Sequence, residues 1–323
     1  MIRLSHIGKT YRVVRRREGL SGAVRSLFVR EYREIPALTD VSFEIPAGAL
    51  VGCIGPNGAG KSTAVKLMSG ILVPDAGECE VMGYVPWRDR AKYVANIGVV
   101  FGQRTQLWWD VPVRDSYALL RDIYRVPDAD FSRRLSRYAE ALDLNALLDV
   151  PLRQLSLGQR MRCELCGSLL HAPKLLFLDE PTIGLDAVSK QAVRAFVREL
   201  NRAEGVTVLL TTHDTADLEA LAERILLLGH GRLLFDGPLC ALRARCDTQK
   251  TLTVRYTGPA PAALPPDAAV LERGEGYFVL RVPPDAVART ITQLAAALSL
   301  TDVQVSEMPV DEVIASIYRE LRI

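Results

Sequence analysis

No stretch of this sequence approaches the ~18 consecutive apolar residues that crossing a bilayer requires. Runs such as VTVLL (206–210) and RILLLG (224–229) are short and rich in β-formers. The opening MIRLSHIGKT lacks the apolar region of a secretory signal. Any role at a membrane is therefore expected to pass through a partner. The six cysteines, at 53, 79, 163, 166, 240 and 246, are too scattered for a disulfide framework. Cys163 and Cys166 form a CxxC pair without a second pair at zinc-site spacing. On a helix they would share one face as buried free thiols, which fits a reducing compartment. A net charge of +2 gives no general pull toward nucleic acid, so no nucleic-acid partner is expected. Internal repeats are absent. Tryptophan occurs three times, and two of the three are adjacent in FGQRTQLWWD (101–110). Adjacent side chains point to different sides of a strand or helix, so one core does not easily take both.

A chain of 323 residues suggests about two domains. From about residue 41 to 235, short apolar strands alternate with amphipathic helices, the pattern of an α/β fold with a largely parallel, doubly covered sheet. Strands are expected at VSFEI (41–45), ALVGCIG (49–55), KLLFLDE (174–180), VTVLLTT (206–212) and RILLLG (224–229). Helices are expected after GKS, over 130–148 and over 158–170. After Gly237-Pro238 the composition changes. Strands at 251–256 and 277–282 flank a Pro/Ala-rich connection, 258–269. A helix over 285–300 carries Val287, Ile291, Leu294 and Leu298 on one stripe, before a further strand and a closing helix. Residues 1–238 and 239–323 are thus expected to form a larger α/β domain and a small α+β accessory domain.

One segment, 12–34, holds seven arginines against three glutamates. Leu20, Ala23, Val24, Leu27, Phe28 and Tyr32 fall at helical spacing, predicting a basic amphipathic helix. It either lies on its own domain with a solvated face or meets a membrane partner or anionic headgroups.

Chemistry begins at GPNGAGKST (55–63), which fits G-x-x-x-x-G-K-[ST] between a predicted strand and a predicted helix. Gly55, Gly58 and Gly60 let the backbone curl so that its N–H groups face phosphate oxygens. The helix starting near Lys61 adds its positive dipole end. Lys61 supplies a cation for the β- and γ-phosphates, and Ser62 a hydroxyl for Mg²⁺. LLFLDE (175–180) is a buried strand ending in two carboxylates, which is unfavourable unless they face a site. Asp179 would hold the hydration shell of Mg²⁺ and Glu180 would polarise the attacking water. Alone, such a pair also serves as a helix cap; beside the phosphate loop it becomes a hydrolysis pair.

With QLSLGQR (154–160) between these two motifs, the chain resembles the ATP-binding subunit of an ABC transporter over nearly all of residues 1–238. The resemblance continues in PTIGLD (181–186), in LLTTHD (209–214) and in KTY (9–11). It implies an ABC-type P-loop fold with a helical signature subdomain over about 104–170, and ATP with Mg²⁺ as cofactors. Tyr11 would stack on adenine. Gly55, Pro56, Asn57, Gly58, Ala59, Gly60, Lys61, Ser62 and Thr63 would cradle the phosphates. Ser62, Gln103 and Asp179 would serve the metal. Glu180, Gln103 and the switch residue His213 would act in hydrolysis. Ser156, Gly158, Gln159 and Asp186 would complete the nucleotide site of the opposite subunit, a second copy or a paralogue. The signature carries Leu157 where the family usually has glycine, which implies altered packing with the contacting groups retained. Gln103 is chosen over Gln106 because it lies ten residues before Val113, the family's usual spacing; Gln106 would face its own loop.

The segment after Gln103 would line the groove where a permease subunit docks, placing the chain at the cytoplasmic face of the membrane. Trp108 and Trp109 would either both fill the core, or one would pack inward and the other face that groove. The pattern TTHDTADLEALAERILLLGHGRLLFDG and the C-terminal unit resemble the multidrug export branch, and the basic insert with QLWWD a viologen-type exporter group. Two alternatives stay open: an importer ATPase whose C-terminal unit binds a regulator, and a non-transport ABC-type ATPase acting on DNA or ribosomes.

Overall fold

A computed structural model of the chain describes residues 1–14, 32–102, 104–245, 249–259, 264–307 and 309–321. Gln103 and most of the basic segment 12–34 lie outside the described residues. The chain divides into two compact units, Met1–Gly237 and Pro238–Ile323.

The first unit opens with β1 (Ile2–Val14), β2 (Tyr32–Ile45), β3 (Leu50–Ile54), α1 (Lys61–Met68), β4 (Ala76–Val81), α2 (Arg90–Val94) and β5 (Ile97–Phe101). It continues with α3 (Val113–Tyr124), α4 (Asp128–Ala141), α5 (Leu157–Leu169), β6 (Leu175–Asp179), α6 (Ala187–Glu204) and β7 (Thr207–Thr212). Then come α7 (Thr215–Leu221), β8 (Arg224–Gly229) and β9 (Arg232–Pro238). A six-stranded sheet has the order β5-β6-β7-β3-β8-β9, with β5–β6, β6–β7, β7–β3 and β3–β8 paired in parallel. Every residue of β3, β6 and β7 is buried. Such strands read as continuous apolar runs because both faces are covered. Parallel pairing also brings their carboxyl ends together, with Ile54 opposite Thr212 and Asp179 opposite Thr211.

The strand expected at 41–45 belongs elsewhere. It is the end of β2, and β2-β1-β4 form a separate antiparallel sheet. Its burial alternates, with Val41, Phe43 and Ile45 inward and Ser42 and Glu44 outward. One face is wet, as an antiparallel sheet allows and a central parallel strand does not. The inward face packs with Val65, Leu67 and Met68 of α1 in one core.

The helix expected over 130–148 is shorter. α4 ends at Ala141, and Asp143 takes a φ of 51°, which a continuing helix cannot hold. Leu142 and Leu144 are nevertheless buried, which mimics helical periodicity in the sequence. Between α3 and α5 this region is helical, and α5 carries the signature at its N-terminus. Cys163 and Cys166 are both buried on α5, where burial pushes each thiol up to about 12.

In the second unit follow α8 (Leu239–Arg245), β10 (Lys250–Thr257), β11 (Ala269–Gly274), β12 (Tyr277–Val282), α9 (Val287–Ala297), β13 (Ser299–Ser306) and α10 (Val310–Glu320). The sheet order is β11-β12-β10-β13, all antiparallel. Leu252, Val254, Phe278, Leu280 and Val282 form its core with Leu294 of α9. The edge strand β11 begins at Ala269, the last residue of the expected connection 258–269.

α7 is fastened by a carboxylate. Asp217 is fully buried and accepts hydrogen bonds from Thr182 Oγ1, from Thr212 Oγ1 at 3.0 Å and from Arg194 Nε at 2.6 Å. It thereby ties the segment after β6, the end of β7 and α6 to one point. Removing one partner of a buried ion pair leaves the other uncompensated, so Asp217→Ala is expected to cost about 3–5 kcal/mol. Urea unfolding measures this; an unchanged midpoint would show that the network is not a fastening.

Candidate functional site

The loop 55–60 leaves β3 and enters α1, and its path depends on missing side chains. A Cβ on Gly55 would meet the Leu228 carbonyl oxygen at 2.4 Å, and one on Gly60, where φ is 103°, the Ala37 carbonyl oxygen at 2.5 Å. Lys61 is 5 % exposed, and its Nζ donates to the carbonyls of Gly55 at 2.6 Å and Pro56 at 3.2 Å. A nearly buried ammonium held by loop carbonyls, with its nearest carboxylate oxygen 3.9 Å away on Glu180, is a positive charge suited to an anion. Cys53, beneath the loop, has its thiol pushed up to about 12 by burial and is inert as a nucleophile.

Four elements meet at the end of β6. Ser62 Oγ donates to Asp179 Oδ1 at 3.0 Å, and Thr211 Oγ1 donates to the same oxygen at 2.5 Å. Gly102 N–H donates to the Asp179 carbonyl at 2.8 Å. Glu180 N–H is held by the Thr211 carbonyl at 2.9 Å and hydroxyl at 3.2 Å. His213 Nδ1 lies 3.5 Å from Glu180 Oε1. Tyr11 Oη lies 3.3 Å from Thr63 Oγ1, which brings β1 to the start of α1. Tyr11, the phosphate loop, Asp179, Glu180 and His213 are therefore brought together. Thr211 is not among the residues expected from the sequence, although two threonines ending an apolar strand are its visible signal.

The residues fit the nucleotide and its metal. A Gly-lined loop opens a helix, and a Cβ on Gly58 would meet nothing within 4 Å, so that point of the loop faces open space. Ser62 and Asp179 present adjacent hard oxygens, the donor type Mg²⁺ takes. Among the described residues there is no cluster of three or more His, Cys, Asp or Glu to cage a metal.

The signature is not brought to this loop. Ser156 caps α5: its Oγ accepts from Gln159 N at 3.2 Å, and Gln159 Oε1 accepts from Ser156 N at 2.9 Å. The Gln159 Oε1 is thus used within its own helix, while its amide N–H groups and the Ser156 hydroxyl proton remain to donate. Gly158 packs so closely that a Cβ would meet Ser189 Oγ at 2.5 Å. Leu157 simply opens α5. Asp186 caps α6 through Ser189 N at 2.8 Å and Ser189 Oγ at 3.1 Å, and these bonds hold its carboxyl below the usual range.

Two expectations about FGQRTQLWWD change. Trp108 is 42 % and Trp109 47 % exposed, so neither ring fills the core. The core position is taken by Leu107, buried beside them. Gln106 faces α5 rather than its own loop, its Nε2 donating to the Glu164 carbonyl at 3.0 Å.

Glu180 takes a φ of 54°, the left-handed region that L-residues enter at a cost of roughly 1–2 kcal/mol. Strain of this kind gathers at functional sites. Since both variants lose the carboxylate, Glu180→Gly is expected to be about 1 kcal/mol more stable than Glu180→Ala. Equal denaturant midpoints would show that the backbone is relaxed.

Comparison with known proteins agrees with this geometry. The family model described as ABC transporter matches residues 38–183. The methionine import ATP-binding protein MetN of Mesorhizobium japonicum is 32 % identical, over 78 % of this chain and 70 % of its own length. The daunorubicin resistance ATP-binding protein DrrA3 of Streptomyces coeruleorubidus is 34 % identical, over 73 % and 74 %. Among solved structures, the ATP-binding cassette MJ0796, a dimer in a post-hydrolysis state with ADP and phosphate, superposes with a TM-score of 0.62. It is 25 % identical, and the match covers 74 % of this chain and 99 % of the cassette. The chain belongs to the ATP-binding subunits of ABC transporters, ATPases that use ATP with Mg²⁺ and couple its hydrolysis to transport.

Proposed function

We propose that this subunit powers an exporter, working as one half of an ATP-closed pair beneath a permease. The observation that carries the ATPase roles is the convergence of Lys61, Ser62, Asp179, Glu180 and His213 on one loop mouth. The 55–63 loop binds the phosphates, with Lys61 turning from its own carbonyls to the β- and γ-phosphates. Ser62, Asp179 and Gln103 would hold Mg²⁺, which screens phosphate charge when bound. Glu180 orients and deprotonates the attacking water, and His213 holds the Glu180 carboxylate and the terminal phosphate in register. Tyr11 stacks on adenine.

The signature lies outside its own subunit's loop contacts, which supports a site finished in trans. A second ATPase subunit, a copy or a paralogue, presents Ser156, the Gly158 N–H, Gln159 and Asp186 to this subunit's nucleotide. ATP then joins two subunits head to tail and hydrolysis releases them. Trp108 and Trp109 supply the permease anchor: large rings held half out of water by Ser116 Oγ, which accepts from Trp108 N at 3.1 Å, and by Arg160 over Trp109. No helix among the described residues is long and apolar enough to cross a membrane; attachment at the cytoplasmic face is proposed to pass through the permease. The second unit is read as an accessory domain.

Export is favoured by the resistance and export names among the relatives, including DrrA3 and a Nod factor export ATP-binding protein of Neorhizobium galegae. Import is the second reading, because the alignment with MetN covers a larger share of this chain. Purification of the intact membrane complex distinguishes them. A permease without a solute-binding receptor is expected, whereas a co-purifying receptor would establish import.

Two variants test the site. Glu180→Gln is expected to bind ATP as the wild type does and to lose hydrolysis by at least about a hundredfold; normal turnover would remove Glu180 from the role of base. Lys61→Ala is expected to weaken nucleotide binding itself, read by titration. The double variant Trp108→Ala/Trp109→Ala is expected to lose the permease on co-purification, and full retention would refute the anchor.

A further inference from the structure

The ladder between β6 and β7 ends at the pair Asp179–Thr211. Glu180 and His213 stand just past that end, and Glu180 leaves it through a left-handed backbone. The 3.5 Å approach of Glu180 Oε1 to His213 Nδ1 is therefore made between two segments that the ladder no longer pairs. The His213 side chain is half exposed, so packing does little to fix its ring.

One buried oxygen joins the two segments. Asp217 Oδ2 accepts from Thr182 Oγ1, two residues after Glu180, and from Thr212 Oγ1, the residue before His213, the latter at 3.0 Å. A ring of contacts thus runs from Glu180 through Thr182, Asp217 and Thr212 to His213, and closes on Glu180. The Thr212 oxygen also accepts from the Asp214 N–H at 2.9 Å, which folds the chain over His213. Thr182, Thr212 and Asp217 are all buried. The other Asp217 oxygen is taken by Arg194 of α6, with Nε at 2.6 Å and Nη2 at 2.5 Å. Stability requires that the buried charge be compensated, and Arg194 does that. Two hydroxyls converging on the remaining oxygen add direction: they fix how far the segment after β6 lies from the end of β7.

We propose that Asp217 is a positioning residue for ATP hydrolysis: by holding Thr182 and Thr212 on one oxygen, it sets the Glu180 carboxylate against the His213 ring. The proposal rests on the reading of Glu180 and His213 as residues of hydrolysis. A misplacement of about 1 Å can cost about a hundredfold in rate, so loss of one hydroxyl can slow turnover in a chain that stays folded. The phosphate loop is held by other bonds, from Lys61 to Gly55 and from Ser62 to Asp179, so nucleotide grip does not pass through Asp217.

The test uses the 323-residue chain with Thr182→Val, Thr212→Val, the double variant and the two Thr→Ser variants, all of which leave the Arg194–Asp217 pair in place. ATP affinity and the number of binding sites are titrated, and kcat is taken per titrated site. Each valine variant is expected to lower kcat about tenfold with ATP affinity within about twofold, and each serine variant, which keeps the hydroxyl, to restore most of the rate. Because both hydroxyls act through one oxygen, the double variant is expected to fall within about twofold of the slower single one. Wild-type kcat in the valine variants overturns the proposal. So do losses that multiply in the double variant, and a parallel loss of kcat and ATP affinity, which marks a merely structural role. If one valine variant does not accumulate, the other and its serine counterpart decide the matter by the same split. Glu180→Gln and His213→Ala run alongside separate the two levels. Wild-type turnover in those controls defeats the site assignment, whereas inactive controls beside wild-type valine variants defeat this inference alone.

Discussion

The carboxylate of Asp179, at the end of a fully buried strand, is the point on which the rest of the site depends. Ser62 from the first turn of α1 and Thr211 from β7 donate to one of its oxygens, and Gly102 donates to its carbonyl. Three chain segments distant in sequence are therefore indexed to one residue. Parallel pairing makes this possible, because it delivers β3, β6 and β7 to the same edge. Without donors a charge there would be ruinous; with them it sets the distance from the phosphate loop to the Glu180 carboxylate. Glu180 follows immediately in a left-handed backbone that turns it toward Lys61 and His213.

Half of the machinery faces away. Ser156 and Gln159 cap α5, Asp186 caps α6, and Gly158 packs on Ser189. These are satisfied helix N-termini, stable before any nucleotide arrives, and each still offers a dipole end to an anion. On the reading proposed above, a subunit built this way lends its signature to a neighbour's nucleotide. The proposal makes ATP-dependent pairing the means of enclosing both nucleotides, and α5 is itself tied to Thr105, Gln106 and Trp109 on the segment proposed to meet the permease.

Much of this was legible in the sequence, and the reasons differ by element. The phosphate loop and strand-end carboxylates are local motifs, so their geometry is encoded within a few residues. The buried strands declared themselves as unbroken apolar runs. Partner strands did not: alternation in 41–45 says that one face is wet, not which strand lies alongside. The 130–148 helix was overrun because Leu142 and Leu144 stay buried after the chain has turned at Asp143. β11 escaped because an exposed edge strand has little pattern to show. The tryptophans were misread because large aromatics usually go inside; here Leu107 takes the core position instead. Gln106 was misplaced because its partner, Glu164, lies 58 residues away.

The central claim is that each nucleotide is enclosed by the loop of one subunit and the signature of another. The most direct measurement is the structure of the Glu180→Gln complex held with ATP and Mg²⁺. A nucleotide in contact with Lys61 and Ser62 of one ATPase subunit and with a signature serine and glycine of its neighbour is expected. A nucleotide enclosed by one subunit, with Ser156 facing no phosphate in either, would contradict it.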